Sequence, residues 1–165
     1  MPDPVAVDHP PFTVLGVRAR TTNAAEADPA TARIPALWGA YLAGGGADRI
    51  PGAAGAAIYS VYTAYESDHR GAYDVVVGAA VRDGATGEGA TGDGALARVS
   101  VPGGRYLVFT ESGAMPGAVI AAWQRVWRHF EAHADVRRAY TADFELHDPR
   151  RPDTVAVYVA VERVG

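Results

Sequence analysis

Apolar and polar positions alternate with a period of two along much of the chain and recur at helical spacing in two stretches. Phe12 to Arg20 (Phe-Thr-Val-Leu-Gly-Val-Arg-Ala-Arg) reads as a strand, followed by a polar break from Thr21 to Asp28. Ile34, Leu37, Trp38 and Tyr41 stand at helical spacings and predict a helix over Pro29 to Leu42. Pro35 falls in its first turn, where a missing N–H does no harm, and Gly44-Gly45-Gly46 ends it. Ala57 to Tyr65 and Tyr73 to Val81 then form a predicted hairpin around the polar turn Glu66 to Gly71. The second half offers strands at Ala97 to Val101 and Arg105 to Thr110, broken by Pro102-Gly103-Gly104. A helix from about Pro116 to His133 follows, with Val119, Ile120, Trp123, Val126, Trp127 and Phe130 as its apolar stripe. Gln124, Arg125, Arg128 and Glu131 make its wet face. The last hairpin runs from Ala139 to His147, through a turn at Asp148 to Asp153, and back along Val155 to Glu162.

The stretch Tyr140 to His147 stands apart because its alternation segregates acids from apolar groups. Thr141, Asp143, Glu145 and His147 share one predicted face; Tyr140, Ala142, Phe144 and Leu146 share the other. A strand carboxylate in such a setting is either a solvated edge charge or a binding group.

The order strand, helix, strand, strand occurs twice. Leu37-Trp38-Gly39-Ala40-Tyr41 echoes Val126-Trp127-Arg128-His129-Phe130, and Tyr62-Thr63-Ala64-Tyr65-Glu66 echoes Tyr140 to Glu145 with one inserted residue. The expectation is a duplicated βαββ, pseudo-twofold α+β domain of antiparallel sheet. Its helices would cover one face, and a ligand cleft would open on the other, at the junction of the halves. The expected organisation is a flexible lead-in over 1–11 and a single domain over 12–165. The first repeat spans about 12–82, a mobile Gly-rich linker spans 84–94, read as a tolerated insertion in preference to a lid, and the second repeat spans about 97–162.

Composition narrows the function classes. The chain has 165 residues, 48% hydrophobic and 21% charged, which suits one soluble domain with a substantial core. A net charge of -4 gives no general attraction to nucleic acid. Cysteine is absent, so disulfides, thiolate metal sites and a thiol nucleophile are excluded, and a reducing cytoplasm is the expected location. No signal peptide and no run of about 20 apolar residues is visible, so no membrane association is expected. His129 and His133 lie four apart on a helix but lack a third ligand, and no phosphate loop or nucleophile elbow occurs; neither a metal nor a cofactor is expected.

The ordered set Leu37-Trp38, Tyr59 to Asp68, Tyr73 to Gly78, Pro102-Gly103-Gly104-Arg105-Tyr106, Trp123 with Trp127, and Tyr140 to Glu145 resembles a GyrI-like effector-binding domain. It is most similar to the standalone, integron-associated effector-binding type, over roughly Phe12 to Val161. The resemblance implies a duplicated βαββ fold and a cleft for amphipathic, often cationic, aromatic molecules facing an acidic residue. Glu145 matches that acidic position in the Asp-Phe-Glu stretch. The related effector domains of AraC- and MerR-type drug-responsive activators are joined to a DNA-binding segment. Here only eleven residues precede the first strand, so direct nucleic-acid binding is not expected.

Glu145 is therefore the central candidate, with Asp143 beside it on the same predicted face. A carboxylate sheltered among aromatic rings loses hydration and regains stability by pairing with a cation, which the rings can also hold. Glu66, its counterpart in the first repeat, abuts a polar turn and reads as a solvated rim charge. Tyr59, Tyr65 and Tyr158 are candidates to line the cleft, and Trp38 and Trp123 to turn an edge toward the ligand. The resemblance implies three candidate functions. The first is sensing or sequestration of amphipathic cations. The second is a hydrolase of the same architecture, in which Glu145 activates water against a cyclopropane-bearing alkylating compound. The third is a protein-interaction module whose partner is a regulator or DNA gyrase.

Overall fold

Eight strands form one antiparallel sheet in a computed structural model that describes residues 3–82 and 96–162. In chain order the elements are β1 (Val5–His9), β2 (Phe12–Thr21), the short α1 (Asn23–Glu26), α2 (Ile34–Ala43), β3 (Ile58–Thr63) and β4 (Tyr73–Val81). They continue with β5 (Ala97–Val101), β6 (Gly104–Ser112), α3 (Gly117–Ala132), β7 (Ala142–His147) and β8 (Thr154–Ala160). The sheet order is β1-β6-β8-β7-β3-β4-β2-β5. Exchanging each strand with the one four places later reverses this order and leaves it unchanged, which is the pseudo-twofold expected of a duplicated unit. The axis passes between β3 and β7, which pair with Val61 opposite Phe144 and Ser60 opposite Glu145. The α+β fold is the one expected from the alternation pattern. The Gly-rich stretch 84–94 lies outside the described residues.

The start of the chain departs from the expected flexible lead-in. Val5–His9 is strand β1, paired along β6 from Val5 opposite Val108 to His9 opposite Gly104. The prolines fall outside the hydrogen-bonded run: Pro4 precedes it and Pro10-Pro11 follow it, so none removes a ladder donor.

Pro10-Pro11 also dictates the shape of the sheet. They connect β1, at one end of the strand order, to β2, near the other. Two residues reach only about 10 Å, so the sheet must roll until its ends meet. Side chains from both ends and the centre fill the inside of the roll: Val7, Phe12, Val14, Tyr59, Val61, Val99, Val101, Tyr106, Phe144 and Tyr158 pack as one cluster. Phe144 stacks on Tyr158 with centroids 4.4 Å apart and meets Phe12 edge-on at 5.0 Å. Gly16 and Gly78, opposite one another in β2 and β4, permit the tight approach in this region. A Cβ on either would lie 2.1 Å from a carbonyl oxygen of the neighbouring strand.

The outer face carries the helices. α2 packs Leu37 and Tyr41 onto Leu15, Val75, Val77 and Ala79 of β2 and β4. α3 packs Ala118, Ala122 and Val126 onto Phe109, Val155, Val157 and Val159 of β6 and β8. Each helix thus lies over the lateral strands of its own half, and the two central strands, β3 and β7, lie between them. The apolar stripe of α3 is wider than its contact with the sheet requires. Ile120 and Trp127 remain 54% and 42% exposed on the side toward the gap. Conversely Arg125, expected on the wet face, is buried; its guanidinium donates to the Thr110 carbonyl and to Glu111, both at 2.9 Å. Among the described residues no helix is long and apolar enough to cross a membrane.

Two backbone kinks correct the expected strand boundaries. β3 ends at Thr63 because Ala64 has φ 52°, and β7 begins only at Ala142 because Tyr140 has φ 53°. A left-handed residue interrupts the alternation of faces, so parity counted through it assigns the wrong side. The first long helix is also shorter than expected, starting at Ile34, while part of the predicted polar break forms α1 with Thr22 as its cap.

Candidate ligand-binding site

The gap between α2 and α3 over the central strands is a cavity of about 440 Å³, within the range of small-molecule sites. Its floor is Tyr62 of β3 and Glu145 of β7; its walls include Ile34 and Pro35 at the start of α2 and Val119, Ile120, Trp123 and Trp127 along α3. Tyr65, Tyr73, His69, Arg138 and the α1 residues Asn23 and Glu26 close one end. The cleft therefore opens on the helix-bearing face, not on the opposite face as the repeat suggested. The reason is the roll of the sheet, which turns the opposite face inward and fills it with aromatic rings.

Glu145 is only 2% exposed, yet it borders the cavity. Three polar groups converge on it. The Tyr62 hydroxyl donates to Oε2 at 2.5 Å, the Trp123 indole N–H donates to the same oxygen at 2.7 Å, and His147 Nε2 lies 2.8 Å from Oε1. The Tyr62 and Trp123 donors together occupy both acceptor directions of Oε2. Alternation along β7 puts Glu145 and His147 on the helix side, and helical spacing brings Trp123 down from α3. Burial, followed by the Glu145 charge, pushes the Tyr62 hydroxyl well above the usual tyrosine range. The phenol is thereby kept as a hydrogen-bond donor.

Asp143, two residues earlier on the same face, has a different environment. It is fully buried and accepts hydrogen bonds from the Tyr65 hydroxyl, from Arg138 Nη2 at 2.7 Å and from the Ala160 backbone N–H at 2.8 Å. Arg138, itself only 7% exposed, neutralises it and rests its guanidinium carbon 4.5 Å from the Tyr140 ring centroid. Burial opposes the Arg138 charge, but Asp143 and the neighbouring tyrosines outweigh that and raise its pKa. Burial and then Asp143 raise the Tyr65 hydroxyl well above its ordinary value. Asp143 and Arg138 thus form an internally neutral pair, with Arg138 at the edge of the cavity. The Glu145 carboxylate, in contrast, is held by tyrosine, tryptophan and histidine.

The remaining aromatic groups form a box. Tyr62 meets Trp123 edge-on at 5.2 Å and Tyr73 at 5.8 Å; Tyr65 meets Tyr73 at 5.9 Å and Tyr140 edge-on at 5.4 Å. Tyr73 donates to Asn23 of α1 at 2.7 Å, and Asn23 in turn donates to the His69 carbonyl at 2.9 Å. Glu26 is engaged at the start of α2, accepting from the Arg33 and Ile34 N–H groups at 2.8 and 3.1 Å and from the Thr21 hydroxyl at 2.6 Å. That placement satisfies donors which a helix start leaves open.

Of the seven residues singled out from the sequence, Glu145, Tyr65 and Trp123 border the cavity. Asp143 lies behind Tyr65 and does not line it. Tyr59 and Tyr158 belong to the aromatic cluster inside the rolled sheet, where Phe144 packs against both. Their assignment to the cleft followed from placing the cleft on the face opposite the helices. Trp38 is also displaced from the site: it packs on the α2 core and meets the His147 ring edge-on at 4.8 Å, behind Glu145. Glu66 is exposed beyond the end of β3, as a rim charge would be. The residues that sequence reasoning missed are Tyr62, Tyr73, Trp127, Arg138 and the α1 pair. Tyr62 had a signal: its parity opposes that of Tyr59, and the kink at Ala64 carries Tyr65 over to its side.

Comparison with known proteins identifies the family and the fold. The family described as integron-associated effector binding protein (Cass2) matches residues 7–161. An integron cassette protein from the mobile metagenome of Vibrio cholerae, VCH_CASS2, shares 31% identity and a TM-score of 0.77 over 97% of this chain and 96% of its own. The fold is shared with SAV2435, solved with tetraphenylphosphonium bound, at 15% identity and TM-score 0.71 over 97% of this chain and 94% of that one. It is likewise shared with a putative transcription regulation protein of Staphylococcus aureus, at 18% identity and TM-score 0.73 over 98% and 99% of the two chains. No match is found among curated proteins. On the match across residues 7–161, this chain belongs to the family of integron-associated effector-binding proteins, with the GyrI-like fold.

Proposed function

We propose that the protein takes up amphipathic, cationic aromatic compounds between α2 and α3, with the Glu145 carboxylate as their counter-charge, and so sequesters or senses them. The observation that carries this reading is the environment of Glu145: buried at an aromatic-walled cavity, satisfied by three hydrogen bonds, and without an arginine partner among its described contacts. A cation entering the cavity meets a negative charge of low local dielectric together with ring faces that attract it. Two of the donors share Oε2, which leaves one open lone-pair direction, on Oε1. Bulky delocalised cations, which need no hydrogen-bond acceptor, match that arrangement. The fold neighbour solved with tetraphenylphosphonium supports the same class of ligand.

Trp123 and Trp127 at the cavity provide the test. Titration with tetraphenylphosphonium should quench tryptophan fluorescence saturably, with the cation recovered chemically unchanged. Absence of saturable binding to the folded protein would refute the reading. Consumption of an alkylating ligand by catalytic amounts of protein would instead establish hydrolysis.

A further inference from the structure

The group holding Glu145 from behind is a titratable one. His147 Nε2 lies 2.8 Å from Glu145 Oε1, and its side chain is 16% exposed. The imidazole does not line the cavity, so its protonation would change the charge of the floor without obstructing the space a ligand fills. From this geometry we propose that His147 is an internal, titratable cation that sets the charge class of ligand the cavity accepts. With neutral imidazole, Nε2–H donates to Glu145 and the carboxylate keeps its charge for a cationic guest. With imidazolium, the charge of Glu145 is matched within the protein, and neutral aromatic guests are favoured over cations. The proposal rests on the reading of the cavity as a small-molecule site.

The surroundings of His147 make this pair the controlling one. On β7, Glu145 is its acidic contact, and Asp143 further along is committed to Arg138. β3 presents Ile58 opposite it and, at Glu145, the uncharged Ser60 and Tyr62. β8 presents Val155 opposite it. α2 contributes the Trp38 ring, edge-on at 4.8 Å, and α3 reaches the pair only through the Trp123 N–H on Oε2. In the turn beyond, Asp148 is paired with Arg150 at 3.0 Å. Histidine is the side chain whose ordinary charge change falls between about pH 5 and 8. By linkage, a ligand that binds only the neutral-imidazole form loses up to about tenfold in affinity per pH unit once the imidazolium dominates.

The experiment measures the Kd of tetraphenylphosphonium and of neutral triphenylphosphine oxide from pH 8 to pH 5.5, for the native protein and for His147→Gln. Glutamine keeps an N–H for Glu145 but cannot become a cation. The proposal expects the phosphonium to weaken steadily on acidification in the native protein while the phosphine oxide does not. It expects His147→Gln to hold the phosphonium with an affinity independent of pH. An unchanged pH profile in His147→Gln, or parallel profiles for the two ligands, overturns the proposal while leaving the cation site intact. Failure of the phosphonium to bind at pH 8 overturns the underlying site and this proposal with it. If the variant does not fold, histidine-labelled NMR of the native protein decides. Saturating phosphonium must lower the pH at which His147 protonates, and phosphine oxide must not, because the coupling is reciprocal.

Discussion

Replacing Glu145 by glutamine isolates the charge of the site from its shape. The amide oxygen can still accept from both Tyr62 and Trp123, which share Oε2 in the native protein. The amide NH₂ then faces His147, and neutral imidazole can accept it by carrying its proton on Nδ1 instead of Nε2. The hydrogen-bond pattern survives, so stability should change by no more than about 1 kcal/mol. The ligand loses its counter-charge. A phosphonium centre shielded by phenyl groups sits roughly 6 Å from a carboxylate, and at an effective dielectric of about 20 the attraction is about 3 kcal/mol. The cavity is open at its mouth, and screening reduces this toward about 1.5 kcal/mol, so Kd should rise roughly 10- to 150-fold. Calorimetry or tryptophan quenching at pH 8 with tetraphenylphosphonium reads the change, and triphenylphosphine oxide should bind the variant within about twofold of the native protein. Equal weakening of both ligands would mean that the substitution damaged the cavity. An unchanged phosphonium affinity would show that Glu145 is not the counter-charge.

The other carboxylate should behave oppositely. Arg138→Met leaves Asp143 buried without its cation and should cost about 3–5 kcal/mol in chemical denaturation; Asp143→Asn in the same chain should recover part of it. Tyr59→Phe and Tyr158→Phe, which remove hydroxyls inside the rolled sheet, should leave phosphonium Kd within about twofold, whereas Trp123→Phe, which removes a donor to Glu145, should weaken binding measurably. Gly16→Ala brings a Cβ against the Val77 carbonyl and should lower Tm or prevent folding, as overpacking against backbone does. Tyr62 and Tyr65 have hydroxyls raised above their unfolded values. The unfolded chain therefore releases these protons first, and their stabilisation is whole below about pH 10. It is lost above that at up to about 1.4 kcal/mol per pH unit for each tyrosine. Alkaline denaturation curves read this slope, and tyrosinate absorbance appearing near pH 10 in the folded protein from every tyrosine would contradict it.

Local pattern was enough for most of the architecture. The period-two runs of β2, β4 and β8 and the helical spacing of Trp123, Val126 and Phe130 declare their elements, because alternation and the 3.6-residue turn are properties of the backbone itself. The echo of Tyr62–Glu66 in Tyr140–Glu145 announced a duplicated unit, and the strand order, which maps onto itself, has the symmetry of one. Glu145 was singled out because it stands at the acidic position of an ordered family pattern, and it borders the cavity. The face on which the cleft opens was decided by tertiary structure. That choice depends on Pro10-Pro11 joining strands from opposite regions of the sheet order, which rolls the sheet and consigns Tyr59 and Tyr158 to its interior. The company of each carboxylate was decided there too. Asp143 and Glu145 have identical local patterning, yet Arg138 reaches one of them, while Trp123 from a distant helix and His147 from the same strand reach the other. Sequence alternation assigns a side chain to a face. Only the closure of the chain around that face determines whether it meets a counter-ion, a neighbour's ring or an open cavity.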